Sequence, residues 1–196
     1  MRFPGVGARQ ARRFSYFLLA QDPDTLQKLS QNILQLKRHM TQCTHCYRYF
    51  NSEYTPDKDT CPICDGPNTD KTTLMIVEKD VDIESVRKSA AFDGRFFVLG
   101  GLISLSSKKS VPKIRTGELI NETDRSAKKE GLKEIIFGLT LNTEGEHTRE
   151  ILMEKLKPLT QKYSLTVTTL GRGFSTGTEL EYSDDDTLKN ALKNRY

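Results

Sequence analysis

Cys43, Cys46, Cys61 and Cys64 are the only cysteines in the chain, and they fall as two Cys-x-x-Cys pairs. Each pair lets two thiolates approach one ion from a tight turn, which is the pattern of a closed tetrahedral Zn²⁺ site with Zn–S bonds of about 2.3 Å. Disulfides or a redox pair would use the same residues. A chain of 196 residues with no evident secretory leader has little need of such staples, so a metal is the expected reading. Four sulfurs leave no open position, and the site is expected to build structure, with a binding free energy of about 10 kcal/mol or more. His45 falls inside the first turn and is expected to be a bystander. Tyr47 follows Cys46, so the haem-attachment pattern is absent.

A second group with chemistry is basic. Phe3-Pro4-Gly5-Val6-Gly7 is a turn leading into a helical stretch over Ala8–Ala20, with Arg9, Arg12 and Arg13 in its first two turns. Glycines allow a close backbone approach, and free N–H groups at a helix start favour phosphate. A Gly-x-Gly turn followed by arginines suits sequence-independent binding of a nucleic-acid backbone; a solvated basic helix face would look the same. Residues 1–50 hold eight Lys/Arg against two acids, a balance of +6, while the whole chain is +4. That asymmetry points the N-terminal part towards a polyanion without saying which.

The elements that must position these groups follow from periodicity. Asp22 or Asp24 caps a helix over Thr25–Arg38, in which Leu26, Leu29, Ile33 and Leu36 read as a buried core stripe. After the cysteines the pattern alternates: strand Thr73–Val77 ending at Glu78, helix Ile83–Ala91 capped by Asp82, strand Arg95–Leu99, a loop Gly100–Gly117, and a polar helix Glu118–Glu130. Strand Glu134–Leu139, helix Glu146–Leu156 ending near Pro158, and strand Leu165–Thr168 complete the series. Strands alternating with helices imply a parallel α/β sheet with helices on both faces, and functional groups at the carboxyl ends of its strands. Two of those ends are acidic, at Glu78 and at Thr143-Glu144-Gly145-Glu146. A mean hydropathy of −0.57 and no apolar run near 18 residues exclude a helical membrane span.

The acidic ends resemble a Toprim domain, the metal-binding module of topoisomerases and primases. Leu141-Asn142-Thr143-Glu144-Gly145-Glu146-His147-Thr148, Gly94–Leu105, Gly177–Tyr182 and Thr187-Leu188, together with the order of parts, resemble the RecR family of bacterial recombination mediators over nearly the whole chain. The resemblance implies four regions: a partial helix-hairpin-helix DNA-binding region (1–40), a four-cysteine zinc knuckle (41–68), a Toprim domain (69–170) and a C-terminal assembly tail (171–196). It implies a non-enzymatic, cytoplasmic, nucleoid-associated clamp on single- and double-stranded DNA. Such a clamp is a homodimer or homotetramer, works with RecO or RecF, and helps load RecA onto single strands. Arg9 and Arg13, with Arg12 beside them, fall at its DNA-facing positions, and Cys43, Cys46, Cys61 and Cys64 at its zinc ligands. Glu78, Glu144 and Glu146 fall at Toprim acidic positions serving partner and DNA contacts.

Members of the family usually carry a further helix before the hairpin, and the spacer Tyr47–Thr60 is longer than usual. Its aromatics, Tyr47, Tyr49, Phe50 and Tyr54, are expected to form the knuckle's small core, the other reading being stacking on unpaired bases. Thr140 and Asn142 stand where catalytic aspartates would, which weakens any Mg²⁺ site, so no cleavage is expected. For Glu144 and Glu146 a second role, favourable acids at a helix start, holds alongside the first. The acidic residues Glu179, Glu181, Asp184, Asp185 and Asp186 are expected to support assembly. The competing functions are a Mg²⁺-dependent Toprim nuclease or primase-like enzyme, and a zinc-containing adapter without DNA contact.

Overall fold

A computed structural model describes residues 3, 5–54, 59–105, 114–171 and 187. The acidic tail and the Gly177–Tyr182 motif lie outside the described residues, as does the side chain of Tyr54. Two helices lead, α1 (Ala8–Leu19) and α2 (Pro23–His39), followed by a small hairpin of β1 (Met40–Gln42) and β2 (Tyr49–Asn51) and a short helix α3 (Pro62–Asp65). Then come β3 (Asp70–Val77), α4 (Asp80–Lys88), β4 (Gly94–Val98), α5 (Thr116–Lys129), β5 (Glu134–Gly138), α6 (Thr143–Tyr163) and β6 (Thr166–Thr169). Strands β3 to β6 form one parallel sheet in the order β4-β3-β5-β6.

Alternation along β3 sorts the core into two layers. Leu74 and Ile76 join Phe97, Ile135 and Phe137 on the face covered by Leu119 of α5 and Leu152 and Leu156 of α6. Met75 and Val77 join Phe96 and Val98 on the opposite face, under Ile83 of α4. Each such side chain, fully removed from water, contributes roughly 1.5–3 kcal/mol, and this sets the sheet rigidly between its helices.

Three local expectations need correction. Helix α4 starts earlier than expected and Asp82 is not its N-cap. Lys79 holds that place, and Asp82 sits three residues on, accepting from the Lys79 backbone N–H at 2.8 Å. Helix α6 passes through Pro158 to Tyr163 and ends at Ser164 in the left-handed region (φ 53°). An internal proline costs about 3 kcal/mol, but Leu159 and Tyr163 beyond it pack on the same core as Leu152 and Leu156, and this packing outweighs the lost hydrogen bond.

The third correction concerns α2. Its start is as a cap requires, with Asp22 Oδ1 accepting from Thr25 N at 2.9 Å and Pro23 in the first turn. Its apolar stripe, however, is not core: Leu26, Leu29, Ile33 and Leu36 are 37%, 42%, 57% and 58% exposed in the single chain. Phe14, Phe17 and Leu19 of α1 are exposed as well. Helical periodicity reports that a face is apolar, not that the same chain covers it.

Candidate metal centre and Toprim edge

The hairpin between β1 and β2 carries the first cysteine pair. Cys43 N donates to Arg48 O at 2.9 Å and Tyr47 N to Cys43 O at 3.0 Å, a closure that requires the positive φ of 60° at Tyr47. Cys61 stands at the start of α3, and Asp65 N returns to Cys61 O at 3.1 Å. A backbone bond from Thr44 N to Asp59 O, 2.9 Å, brings the two turns face to face. The sulfurs of Cys43, Cys46, Cys61 and Cys64 then lie within 4.8 Å of one another, the only such ligand cluster among the described residues. Cys46 Sγ and Cys61 Sγ are 3.6 Å apart, close to the spacing of about 3.8 Å that four sulfurs at 2.3 Å from one ion require.

Crowding splits the thiols' acidities. Hydrogen bonds from Cys46, Cys61 and Cys64 drive Cys43 far below its ordinary range, and contact with Cys43 pushes Cys46 and Cys64 far up. Cys61, opposed by Cys43 but assisted by Cys46 and Cys64, falls to about 7. A cation shared by all four removes this conflict, because each thiolate is then bound to positive charge. The four cysteines can therefore hold a metal ion. His45 is not part of the cluster: its Nδ1 faces Glu122 Oε2 of α5 at 3.1 Å.

The aromatic spacer splits three ways. Phe50 is buried with the cysteines, as expected of a knuckle core. Tyr47 instead packs into the sheet's core, its ring meeting that of Phe97 edge-on at 5.4 Å, with the Arg115 guanidinium 5.4 Å from the Tyr47 ring centre. Tyr49 is left 54% exposed.

At the carboxyl edge of the sheet, Glu78 follows β3, and Glu144 and Glu146 lie in the first turn of α6, not in a separate turn before it. The three acids are brought to one edge but each is engaged separately. Glu78 accepts from Thr140 Oγ1 at 2.9 Å and pairs with Lys79 Nζ at 2.7 Å. Glu144 accepts from Ser104 Oγ at 3.3 Å, and Glu146 pairs with Arg149 at 2.6 Å. Thr140 and Asn142 have structural tasks there. Asn142 caps α6, accepting from Gly145 N at 2.8 Å, while a Cβ on Gly145 would lie 1.8 Å from Thr140 O. Glycine is thus required where the α6 start meets the strand-end loop.

Sequence reasoning misses the counter-charges Lys79 and Arg149; for the latter the three-residue spacing from Glu146 is a visible signal. It also misses the buried pairing of Arg95 (β4) with Glu122 and Glu130, which ties the sheet to α5. Nothing in the local pattern distinguishes these charges from surface ones.

The basic group is presented as its spacing requires. Arg9, Arg12 and Arg13 lie three and four residues apart on α1, all exposed. Among the described residues none has a carboxylate within ion-pair distance, and the first turn of α1 contains no acid.

Comparison with known proteins matches residues 72–169 to the Toprim domain and residues 175–196 to the C-terminal model of RecR. A protein of Chloroherpeton thalassium named Recombination protein RecR is 33% identical over 194 residues, covering 99% of this chain and 91% of the relative. The chain belongs to the RecR family. RecR proteins of Desulfitobacterium hafniense (strain Y51) and Lactobacillus helveticus are each 32% identical, covering 99% and 100% of this chain and 89% and 92% of their own lengths. Membership of RecR places the chain among recombination proteins, and the Toprim match agrees with the parallel sheet and its acidic edge. No helix among the described residues is long and apolar enough to cross a membrane.

Proposed function

We propose that this protein is a non-catalytic DNA clamp of recombinational repair that acts with RecO or RecF to help load RecA onto single-stranded DNA. The observation that carries the reading is the exposed row of Arg9, Arg12 and Arg13, without a carboxylate partner among the described residues, in a chain of the RecR family. Such a row neutralises phosphates of single or double strands alike and releases counterions without reading bases. The metal is Zn²⁺, as four thiolates and no open position favour, and its role is structural.

Glu78, Glu144 and Glu146 serve as a docking edge for a partner. Their engagement with Lys79, Arg149 and hydroxyls, and the neutral Thr140 and Asn142, support docking over divalent-metal catalysis, which needs convergent free carboxylates. The apolar faces of α1 and α2 support self-association into a dimer or tetramer, with 1–40 as the DNA-binding and assembly region, 41–68 as the knuckle, 69–170 as the Toprim domain and 171–196 as a second assembly element. Such a protein works in the cytoplasm, on the nucleoid. Electrophoretic DNA binding with and without the cognate RecO tests the reading: a retarded complex strengthened by RecO is expected, and neither binding nor RecO dependence would refute it.

A further inference from the structure

A groove of about 580 Å³ runs between the knuckle and the β4–α4 side of the sheet. That volume is in the range of small-ligand sites. Its floor includes Phe92 and Phe96, whose rings meet edge-on at 5.1 Å. Tyr49, more than half exposed, lines one side, its backbone N–H fixed on Asp80 Oδ1 at 2.7 Å. Arg48 and Arg87 also line it. Arg48 is held by Glu84 at 3.3 Å, but among the described residues its buried Nε has no partner and Arg87 has no carboxylate partner. Asn68 and Asp93 supply hydrogen-bonding groups at the rim.

We propose that this groove receives one unpaired nucleotide of a single strand, with the base stacked on Tyr49 and its phosphate against Arg87. The inference rests on the DNA-binding reading above and extends it to the knuckle. An exposed aromatic beside an unpaired arginine is the combination that holds single strands, since every base has a face to stack and every linkage a phosphate. Position favours the same ligand. Met40, which lines the groove, directly follows the last turn of α2 with its Lys37 and Arg38, so basic side chains stand next to the groove in the chain. Duplex DNA has no unstacked base to offer, so the groove distinguishes single from double strands where the arginines of α1 do not.

The test uses the full-length, zinc-loaded protein, with fluorescence anisotropy on a single-stranded oligothymidylate and on a duplex of equal length. Tyr49→Ala is expected to weaken oligothymidylate binding about tenfold and leave duplex binding unchanged, with Tyr49→Phe retaining both. Arg87→Ala is expected to lower the single-strand salt slope by about 0.7. Wild-type oligothymidylate binding by Tyr49→Ala, or equal losses on both probes, would overturn the proposal. If Arg9→Glu with Arg13→Glu still abolishes binding to both probes, only the groove assignment falls; if that variant binds normally too, the DNA-binding reading falls with it. Loss of a protein partner by Tyr49→Ala, with DNA binding intact, would assign the groove to that partner instead.

Discussion

The backbone N–H of Val98 donates to the carbonyl of Cys46 at 2.8 Å, so the turn carrying the first cysteine pair closes the outer edge of strand β4. Tyr47 packs on one face of the sheet and Ile63 on the other, so the knuckle straddles that edge. An uncovered edge strand would present unpaired backbone groups for aggregation. Removing the metal, or Cys46→Ser, is therefore expected to expose the Val98 amide as well as loosen the knuckle. Hydrogen exchange should show Val98 losing protection together with β2. A loss of several kcal/mol should lower Tm by about 10 °C or more in a chain of this size. Unchanged exchange at Val98 would mean the edge is held without the metal.

Glu122 is the hub of a buried ionic cluster, contacting Arg95 at 3.1 Å, Arg125 at 2.6 Å and His45 at 3.1 Å. Burial alone would raise its pKa; Arg125 and His45 more than offset this, and the net direction is down. A carboxylate lowered in the folded state contributes stability that is present above its unfolded value, near 4.5, and is lost as pH falls through the folded value. Glu122→Gln should cost about 3 kcal/mol at pH 7, because it leaves Arg95 under-compensated in the core. The gap from wild type should shrink steadily below about pH 4, as urea unfolding at several pH values would reveal. A gap independent of pH would mean that the charge of Glu122 does not stabilise the fold.

Gly145 has no room for a side chain, since its Cβ would sit against Thr140 O. Gly145→Ala must displace either the start of α6 or the loop holding Thr140, at a cost of about 1–3 kcal/mol. The bond from Thr140 Oγ1 to Glu78 should break with it. A thermal melt lowered by a few degrees, with weakening of the partner docking proposed for this edge, is the expected result; a variant identical to wild type in both would show that the edge is more compliant.

Leu29 and Ile33 lie exposed on α2 in the single chain. Changing both to Glu should leave the fold intact and reduce the mass measured by light scattering, because a buried self-interface does not tolerate unpaired charge. An unchanged mass would refute self-association through this face.

Much of this molecule is legible in local chemistry. The cysteine spacing carries the metal cluster because ligand geometry is short-range, and continuous apolar runs mark the central strands of the sheet because both faces are buried. What escapes is decided between distant parts. Pro158 reads as a stop because the packing of Leu159 and Tyr163 that carries α6 past it is tertiary. The stripe of Leu26 to Leu36 reads as core because amphipathicity is blind to the number of chains. Tyr47 and Tyr49 are two residues apart and of the same type, yet one enters the sheet's core and the other faces solvent. That difference follows from the positive φ at Tyr47, which no propensity announces.

The central claim is that an arginine row on α1 grips the DNA backbone while the Toprim edge does no chemistry. Its most direct test is the salt dependence of DNA binding by Arg9→Glu combined with Arg13→Glu. Strongly weakened binding of every sequence is expected, with a salt slope reduced by about one for each phosphate no longer neutralised. Wild-type affinity and slope in that variant would contradict the claim.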